Sequence, residues 1–217
     1  MDSGTLKFDE KGLVTVVAVD AETGELRMLA HANQEAIDAT LRTGQAHFWS
    51  RSRGKLWKKG EESGNTLAVS GVFADCDADA VLYKVTPNGP TCHTGAANCF
   101  FQLVSENTKG SSAPTLVHLE RELQARADAN AEKSYTKSLL QGGPEKIGEK
   151  INEEAAELAQ AIANESDERV ASEMADLLYH AMVGLLSRGV PVRAALEVLS
   201  ARFGVSGHDE KASRVRS

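Results

Sequence analysis

Hydrophobic and polar positions follow two different rhythms along the chain. Before residue 105, β-branched and aromatic residues come in short runs at 13–19 (LVTVVAV), 67–73 (LAVSGVF) and 80–85 (AVLYKV). Turn formers bound them, including Glu22-Thr23-Gly24 and Pro87-Asn88-Gly89-Pro90, so these runs predict strands. One helix is expected over 33–43, with Asn33 as N-cap and Gly44 as C-cap. Beyond residue 115 the spacing becomes helical and Ala, Glu, Leu and Gln dominate, which predicts helices near 116–127, 144–164, 168–187 and 191–203. Pro144 after Gly142-Gly143 suits a first helical position, Ser166 or Asp167 can cap the third helix, and Gly189 can end it. Short connections predict antiparallel neighbours.

The polar stretch 105–114 (SENTKGSSAP) separates these halves and reads as a linker. The expected fold class is α+β in two domains: a mainly β domain over 1–108 and an all-α domain over 115–217. With 217 residues, 41% hydrophobic and 25% charged, the chain is long and apolar enough for two cores. No apolar run approaches the ~18 residues of a membrane span, and the N-terminal MDSGTLKFDEKG lacks the basic and apolar parts of a signal peptide. A cytoplasmic protein without a membrane partner is expected. The net charge of −7 argues against a nucleic-acid-binding surface.

All three cysteines, Cys76, Cys92 and Cys99, lie in the first half. An odd number in a reducing compartment favours metal binding or reactive thiols over disulfides. None has CxxC spacing, and three small buried hydrophobes are one reading of them. The other is zinc: three thiolates leave a fourth position open, the arrangement of catalytic sites, where the metal acidifies water. His93 is then the nearest base in sequence.

Asp75, Asp77 and Asp79 fail as a calcium loop, because Ala80 and Thr86 stand where Gly and Glu are needed. In an extended segment the three carboxylates share one face and Cys76 points away. Their repulsion makes Mg2+ a natural partner; a solvated acidic turn is the alternative. The stretch from Trp49 to Asn65 places Arg51, Arg53, Lys55, Lys58 and Lys59 among hydroxyls, glycines and two indoles. Arg forks and Ser hydroxyls suit phosphate, and a Trp face suits a base. Either a small phosphorylated ligand binds here, or the stretch is a basic surface turn.

In the helical half, Lys146, Lys150, Glu154 and Glu157 border the apolar stripe of Ile147, Ile151, Ala155, Leu158 and Ile162 rather than opposing it. On the next helix, Arg169, Glu173, Asp176 and His180 flank a stripe that includes Val170, Met174, Leu177 and Leu178. Packing the apolar stripes together is expected to gather Glu154, Glu157, Glu173 and Asp176. Four clustered carboxylates repel unless they hold hard cations. Mg2+ bridging phosphates, with one carboxylate such as Glu154 orienting or deprotonating water, is the chemistry they suit. Lys146 and Lys150 would reach phosphate oxygens from the same helix. A di-iron site would want Glu-x-x-His pairs, which are missing here.

Together these motifs carry a resemblance. Trp49-Ser50-Arg51-Ser52-Arg53, Leu56-Trp57-Lys58-Lys59-Gly60-Glu61, Ser63-Gly64-Asn65, Asp75-Cys76-Asp77-Ala78-Asp79 and Cys92-His93-Thr94-Gly95 with Cys99-Phe100 resemble phosphoribosyl-AMP cyclohydrolase signatures. Ser134-Tyr135-Thr136, Glu153-Glu154-Ala155-Ala156-Glu157, the run from Glu173 to His180, and the ending from Ser206-Gly207 to Arg214 resemble phosphoribosyl-ATP pyrophosphohydrolase, a relative of the all-α MazG-type pyrophosphohydrolases. The chain thus resembles the bifunctional histidine-biosynthesis family that joins the two. His31 and Ala32 stand where that family more often shows Tyr and Met, and Asn152 replaces a usual Gly.

The resemblance implies a zinc-binding N-terminal domain, with Cys76, Cys92 and Cys99 holding Zn2+ across a homodimer. It implies Mg2+ at Asp75, Asp77 and Asp79, and again at Glu154, Glu157, Glu173 and Asp176. His93 and Glu154 become the catalytic residues. Trp49, Ser50, Arg51, Ser52, Arg53, Lys58, Lys146 and Lys150 become contacts for small-molecule phosphoribosyl nucleotides. The implied reactions are release of pyrophosphate from phosphoribosyl-ATP, then opening of the adenine ring of phosphoribosyl-AMP.

Overall fold

The computed structural model describes residues 6–105, 111–129 and 134–203. The chain forms two compact units, Met1–Pro114 and Thr115–Ser217. The expected motif from Ser206-Gly207 to Arg214, and part of the linker, lie outside the described residues.

In the first unit the central strand is β1 (Val14–Asp20), whose side chains alternate strictly between buried and half-buried. It pairs antiparallel with β2 (Leu26–Ala32) and parallel with β6 (Ala80–Pro87); β6 pairs antiparallel with β5 (Leu67–Ala74), giving the order β2-β1-β6-β5. Val14, Val16 and Ala18 share one core with Val81, Tyr83 and Val85. Helix α1 (Gln34–Thr43) lays Ala36 and Ile37 on that core. Asn33 Oδ1 accepts from the Ala36 amide at 3.0 Å, and Gly44, at φ 65°, closes the helix by donating to the Thr40 carbonyl. A separate hairpin, β3 (His47–Ser50) and β4 (Lys55–Lys58), contributes Phe48 and Trp57, whose ring centroids lie 5.2 Å apart.

The sequence pattern hides β2, β3 and β4. Arg27 interrupts the apolar alternation of β2, yet it is buried. The hairpin strands are four residues each, and β4 carries Lys55 and Lys58 of the basic stretch. The acidic segment takes the second of its two readings. It is a turn rather than an extended strand: Asp75 Oδ1 accepts from the amides of Asp79 and Ala80, both at 3.1 Å, and Ala78 adopts φ 65°. The short carboxylate captures the backbone donors before a strand can form.

The second unit holds α2 (Thr115–Asp128), α3 (Tyr135–Asn164), α4 (Asp167–Ser187) and α5 (Val192–Ser200). Ser134 caps α3, which therefore begins well before the Pro144 start that the pattern predicts. Gly143, at φ 75°, kinks the helix, and Pro144 opens its second part. Ser166 caps α4 as expected, and Gly189 follows it at φ 63°. Pro191 precedes α5, and the Val192 amide is satisfied by Glu120 Oε1 at 2.6 Å.

The packing of α3 on α4 overturns the expected arrangement of faces. The buried residues of these helices include Ile147, Ala161, Met182 and Val183, but also Glu154, Glu173 and His180. Ile162, Met174 and Leu178, assigned above to apolar stripes, are exposed. The helices meet at ordinary contact distance beside Gly184, where a Cβ would sit 3.6 Å from both Ile147 and Ile151. Glu154 and Glu173 therefore lie within the contact rather than at its edge, while Glu157 and Asp176 are exposed.

Tyr83 is fully buried and donates to Thr40 Oγ1 at 3.3 Å; burial pushes its phenol up to about 12. An unfolded tyrosine ionises near ~10. Its contribution to stability is therefore complete below pH ~10 and lost as pH rises toward ~12, about 2–3 kcal/mol in all. Tyr83→Phe is expected to flatten that alkaline decline while costing about 1 kcal/mol at neutral pH. Urea unfolding of the two proteins from neutral pH to about pH 12 measures both effects.

Candidate active sites

The first unit contains a cavity of about 500 Å³ that opens between the end of β4 and the loop over residues 90–99. Gly60 sets its near wall. At φ 79° a Cβ would meet the Asn65 backbone at 2.4 Å, so only glycine lets the chain fold back this closely. The turn brings the Asn65 carbonyl to Lys59 Nζ at 2.8 Å. Lys59 is buried, and its ammonium is held below its ordinary value by that burial, opposed by the nearby Cys99 and Cys92.

Cys92 and Cys99 both line the far wall, close enough for each to perturb the other's thiol. The Cys92 thiol is held below its usual range, first by the Thr94 hydroxyl and amide. The sulfur of Cys99 is desolvated and pushed up to about 11, with the charge of Cys92 adding to the effect. His93 is exposed, with Nδ1 3.8 Å from Cys92 Sγ, close enough to exchange a proton with a group at this pair. Cys76 does not join them within one chain. It is exposed on the acidic turn with Sγ 3.9 Å from Asp77 Oδ1. Two soft donors converge, and a three-thiolate site needs the third from elsewhere.

On the same turn, Asp75, Asp77 and Asp79 bring oxygens within 4.8 Å of one another, all exposed. Backbone amides, chiefly that of Ala80, hold the Asp75 carboxyl below its usual range, while the charges of Asp77 and Asp75 push Asp79 up. Carboxylates this close repel one another.

The hairpin turn after Ser50 presents Arg51, Ser52 and Arg53 to solvent. Ser50 Oγ accepts from Arg53 Nε at 3.3 Å, which steadies one guanidinium. Arg53 and Trp57 border both the main cavity and a second of about 310 Å³, where Trp49, Ser50, Arg51, Ser52 and His31 meet. Lys58 lines the main one. Burial, and then Arg51, keep the His31 imidazole below its ordinary value.

In the helical unit Glu154, Glu157 and Glu173 bring carboxylate oxygens within 4.8 Å of one another, and two of the three are buried. Asp176, grouped with them from its helical position, is exposed and outside this set, though its charge reaches Glu173. Cations hold the cluster together. Lys150 Nζ lies 3.3 Å from Glu154 and 2.7 Å from Glu153, and Arg169 contacts Glu173. Glu153, and then Glu154, raise the Lys150 ammonium above its ordinary range. The Glu173 carboxyl is pushed up, mainly by burial and against the pull of Arg169. Lys146 is exposed and folds over Gly142.

Two groups beyond the sequence-predicted site residues belong here, His180 and Tyr135. His180 is buried with Nδ1 2.9 Å from the Asp176 carbonyl and 3.6 Å from Glu154 Oε1. That carbonyl can only accept, so Nδ1 carries the proton and Nε2 faces the Tyr135 hydroxyl at 2.9 Å. The helical angle alone puts His180 on the acidic flank; its contact with Tyr135, 45 residues away, has no periodic signal.

Two family models match the chain: phosphoribosyl-AMP cyclohydrolase over residues 28–101 and phosphoribosyl-ATP pyrophosphohydrolase over residues 116–203. Between them they span all the described donor clusters. The chain is 43% identical to the histidine biosynthesis bifunctional protein HisIE of Wolinella succinogenes, with 96% of each covered. It is 43% identical to that of Aquifex aeolicus (91% of this chain, 98% of the relative) and 42% identical to that of Bacillus subtilis (91% and 94%). The chain belongs to the HisIE family. Within this family the two halves are two hydrolases on one polypeptide, and the two donor-bearing units correspond to them.

Proposed function

We propose that this HisIE protein carries out two consecutive hydrolyses of histidine biosynthesis on small-molecule phosphoribosyl nucleotides, one in each unit. In the C-terminal domain, taken as 115–217, phosphoribosyl-ATP and water give phosphoribosyl-AMP and pyrophosphate by cleavage of the α,β-phosphoanhydride. In the N-terminal domain, taken as 1–108, water adds to C6 of the adenine and the N1–C6 bond opens. One observation carries this reading: each unit pairs its own family model with its own cluster of metal-competent donors.

Glu154, Glu157 and Glu173 offer only hard oxygen donors, which suits Mg2+, with Asp176 as a further carboxylate beside them. Mg2+ bound there supplies positive charge against the phosphates. Glu154, fixed between Lys150 and His180, is the residue placed to orient and deprotonate the attacking water. Lys146 and Lys150 are the phosphate contacts. The fold of this domain is assigned to the MazG-like type on its helices and its Glu-x-x-Glu pattern.

The thiols of Cys92 and Cys99 suit Zn2+, with Cys76 of the partner subunit as the third ligand. Zinc with three thiolates supplies an acidified water. His93 accepts a proton at that position. Trp49, Ser50, Arg51, Ser52, Arg53 and Lys58 hold the base and its phosphoribosyl groups, and Asp75, Asp77 and Asp79 hold Mg2+ on the same turn as Cys76. The separation of Cys76 from the other two thiols supports a homodimer. So do Ile162, Met174 and Leu178, apolar and exposed on α3 and α4. Among the described residues no helix is long and apolar enough to cross a membrane. With a net charge of −7, the proposal places the enzyme in the cytoplasm with no nucleic-acid or membrane partner.

Glu154→Gln is expected to lower pyrophosphate release by about 100-fold or more while ring opening of supplied phosphoribosyl-AMP continues. Cys92→Ala is expected to do the reverse, so that phosphoribosyl-AMP accumulates from phosphoribosyl-ATP. Loss of both activities in either folded variant contradicts independent sites. Met174→Asp combined with Leu178→Asp is expected to shift the protein from dimer to monomer in sedimentation velocity; an unchanged dimer rules out this face as the interface.

A further inference from the structure

A cluster of polar side chains lies buried beneath the Cys92–Cys99 loop and has no part in the chemistry above. Asp20, Glu25, Arg27 and Asn98 are at most 8% exposed. Arg27 grips Asp20 Oδ2 through Nε at 3.0 Å and Nη2 at 2.6 Å, and its Nη1 lies 3.0 Å from Glu25 Oε2. The same Nη1 donates to the Ala97 carbonyl at 3.0 Å. Asn98 donates from Nδ2 to Glu25 Oε1 at 2.6 Å, while its Oδ1 accepts the Phe100 amide at 2.7 Å. The Cys99 amide donates to the Arg27 carbonyl at 2.9 Å. The successive residues 97 to 100 are thus each tied to β2, to the β1–β2 turn or to one another.

This arrangement exceeds what holding a loop requires. Burying two carboxylates and a guanidinium carries a desolvation cost that an apolar cluster would avoid, and such clusters set geometry more than stability. Here what is set is the backbone on either side of Cys99. The geometry points to Asn98, seated by the Glu25 carboxylate that Arg27 holds, as a positioning residue that fixes Cys99 Sγ against Cys92 for zinc. This inference rests on the zinc reading above. The Asn98 amide group bonds to Glu25 and to the Phe100 backbone rather than to a thiol, so it acts through the peptide on each side of Cys99.

The test uses the full-length protein with Asn98→Ala, and Asn98→Leu as a volume-conserving second variant. Zinc affinity is measured by competition with a chromophoric chelator, and the metal-site geometry by the thiolate-to-metal and d–d bands of the cobalt-substituted protein. Circular dichroism establishes folding, and pyrophosphate release reports the other unit. The expected result is folded protein with normal pyrophosphate release, zinc affinity lower by about 10- to 100-fold and shifted cobalt bands. A folded variant with parental zinc affinity and an unchanged cobalt spectrum overturns the inference, whatever its thermal stability. Parental protein that binds neither metal at its thiols overturns the zinc reading itself, and this inference with it.

Discussion

Like charges brought together inside a protein must be compensated, and that requirement shapes both units. Glu154, Glu157 and Glu173 converge on one spot, two of them buried. At such distances carboxylates destabilise one another unless cations or donors answer them. Lys150, Arg169 and the His180 ring are drawn in around them, and the helices meet along an acidic seam. In the first unit the answer is different. Asp75 is satisfied by backbone amides on an exposed turn, and the thiols of Cys92 and Cys99 sit near buried Lys59.

Much of the framework is legible in the sequence because it depends on local chemistry. Val14, Val16 and Ala18 alternate as a half-buried strand must, and Asn33 and Gly44 bound a helix by interactions within a few residues. The carboxylate cluster is nearly legible too, since Glu154, Glu157 and Glu173 follow from helical spacing alone. What spacing does not reveal is which face turns inward. An Ala- and Leu-rich helix has more than one apolar side, and which one turns inward is decided by its partner, as where Ile147 and Ile151 of α3 meet α4 beside Gly184. Met174 and Leu178 look like core residues for that reason, yet they are exposed.

Other elements are hidden because their partners lie far away in sequence. Arg27 reads as a surface charge until Asp20, Glu25 and the Ala97 carbonyl are seen around it. Lys59 looks like one more cation in a basic run, yet its neighbour Gly60 admits the Asn65 backbone and buries it. The acidic turn is the opposite case, decided by neighbours in sequence. Alternating acids fit either an extended segment or a turn, and the Asp75 side chain decides for the turn by capturing the backbone amides of Asp79 and Ala80.

The compensating cations also bear on how the helical site can work. Each positive group that steadies the acids is one that an incoming divalent ion must displace or share with them. Lys150 is the clearest case, since its ammonium contacts Glu153 and Glu154 and is also a proposed phosphate contact. If the proposed divalent cation were held by Glu154, it would offset the charge that Lys150 now answers, and Lys150 would be freer to meet phosphate oxygens. Substrate and metal would then favour each other's binding under that proposal, because phosphates would offer the lysine the negative charge that the metal withdraws from it. A single side chain can serve as counter-ion before binding and as ligand after it, without the helix having to move.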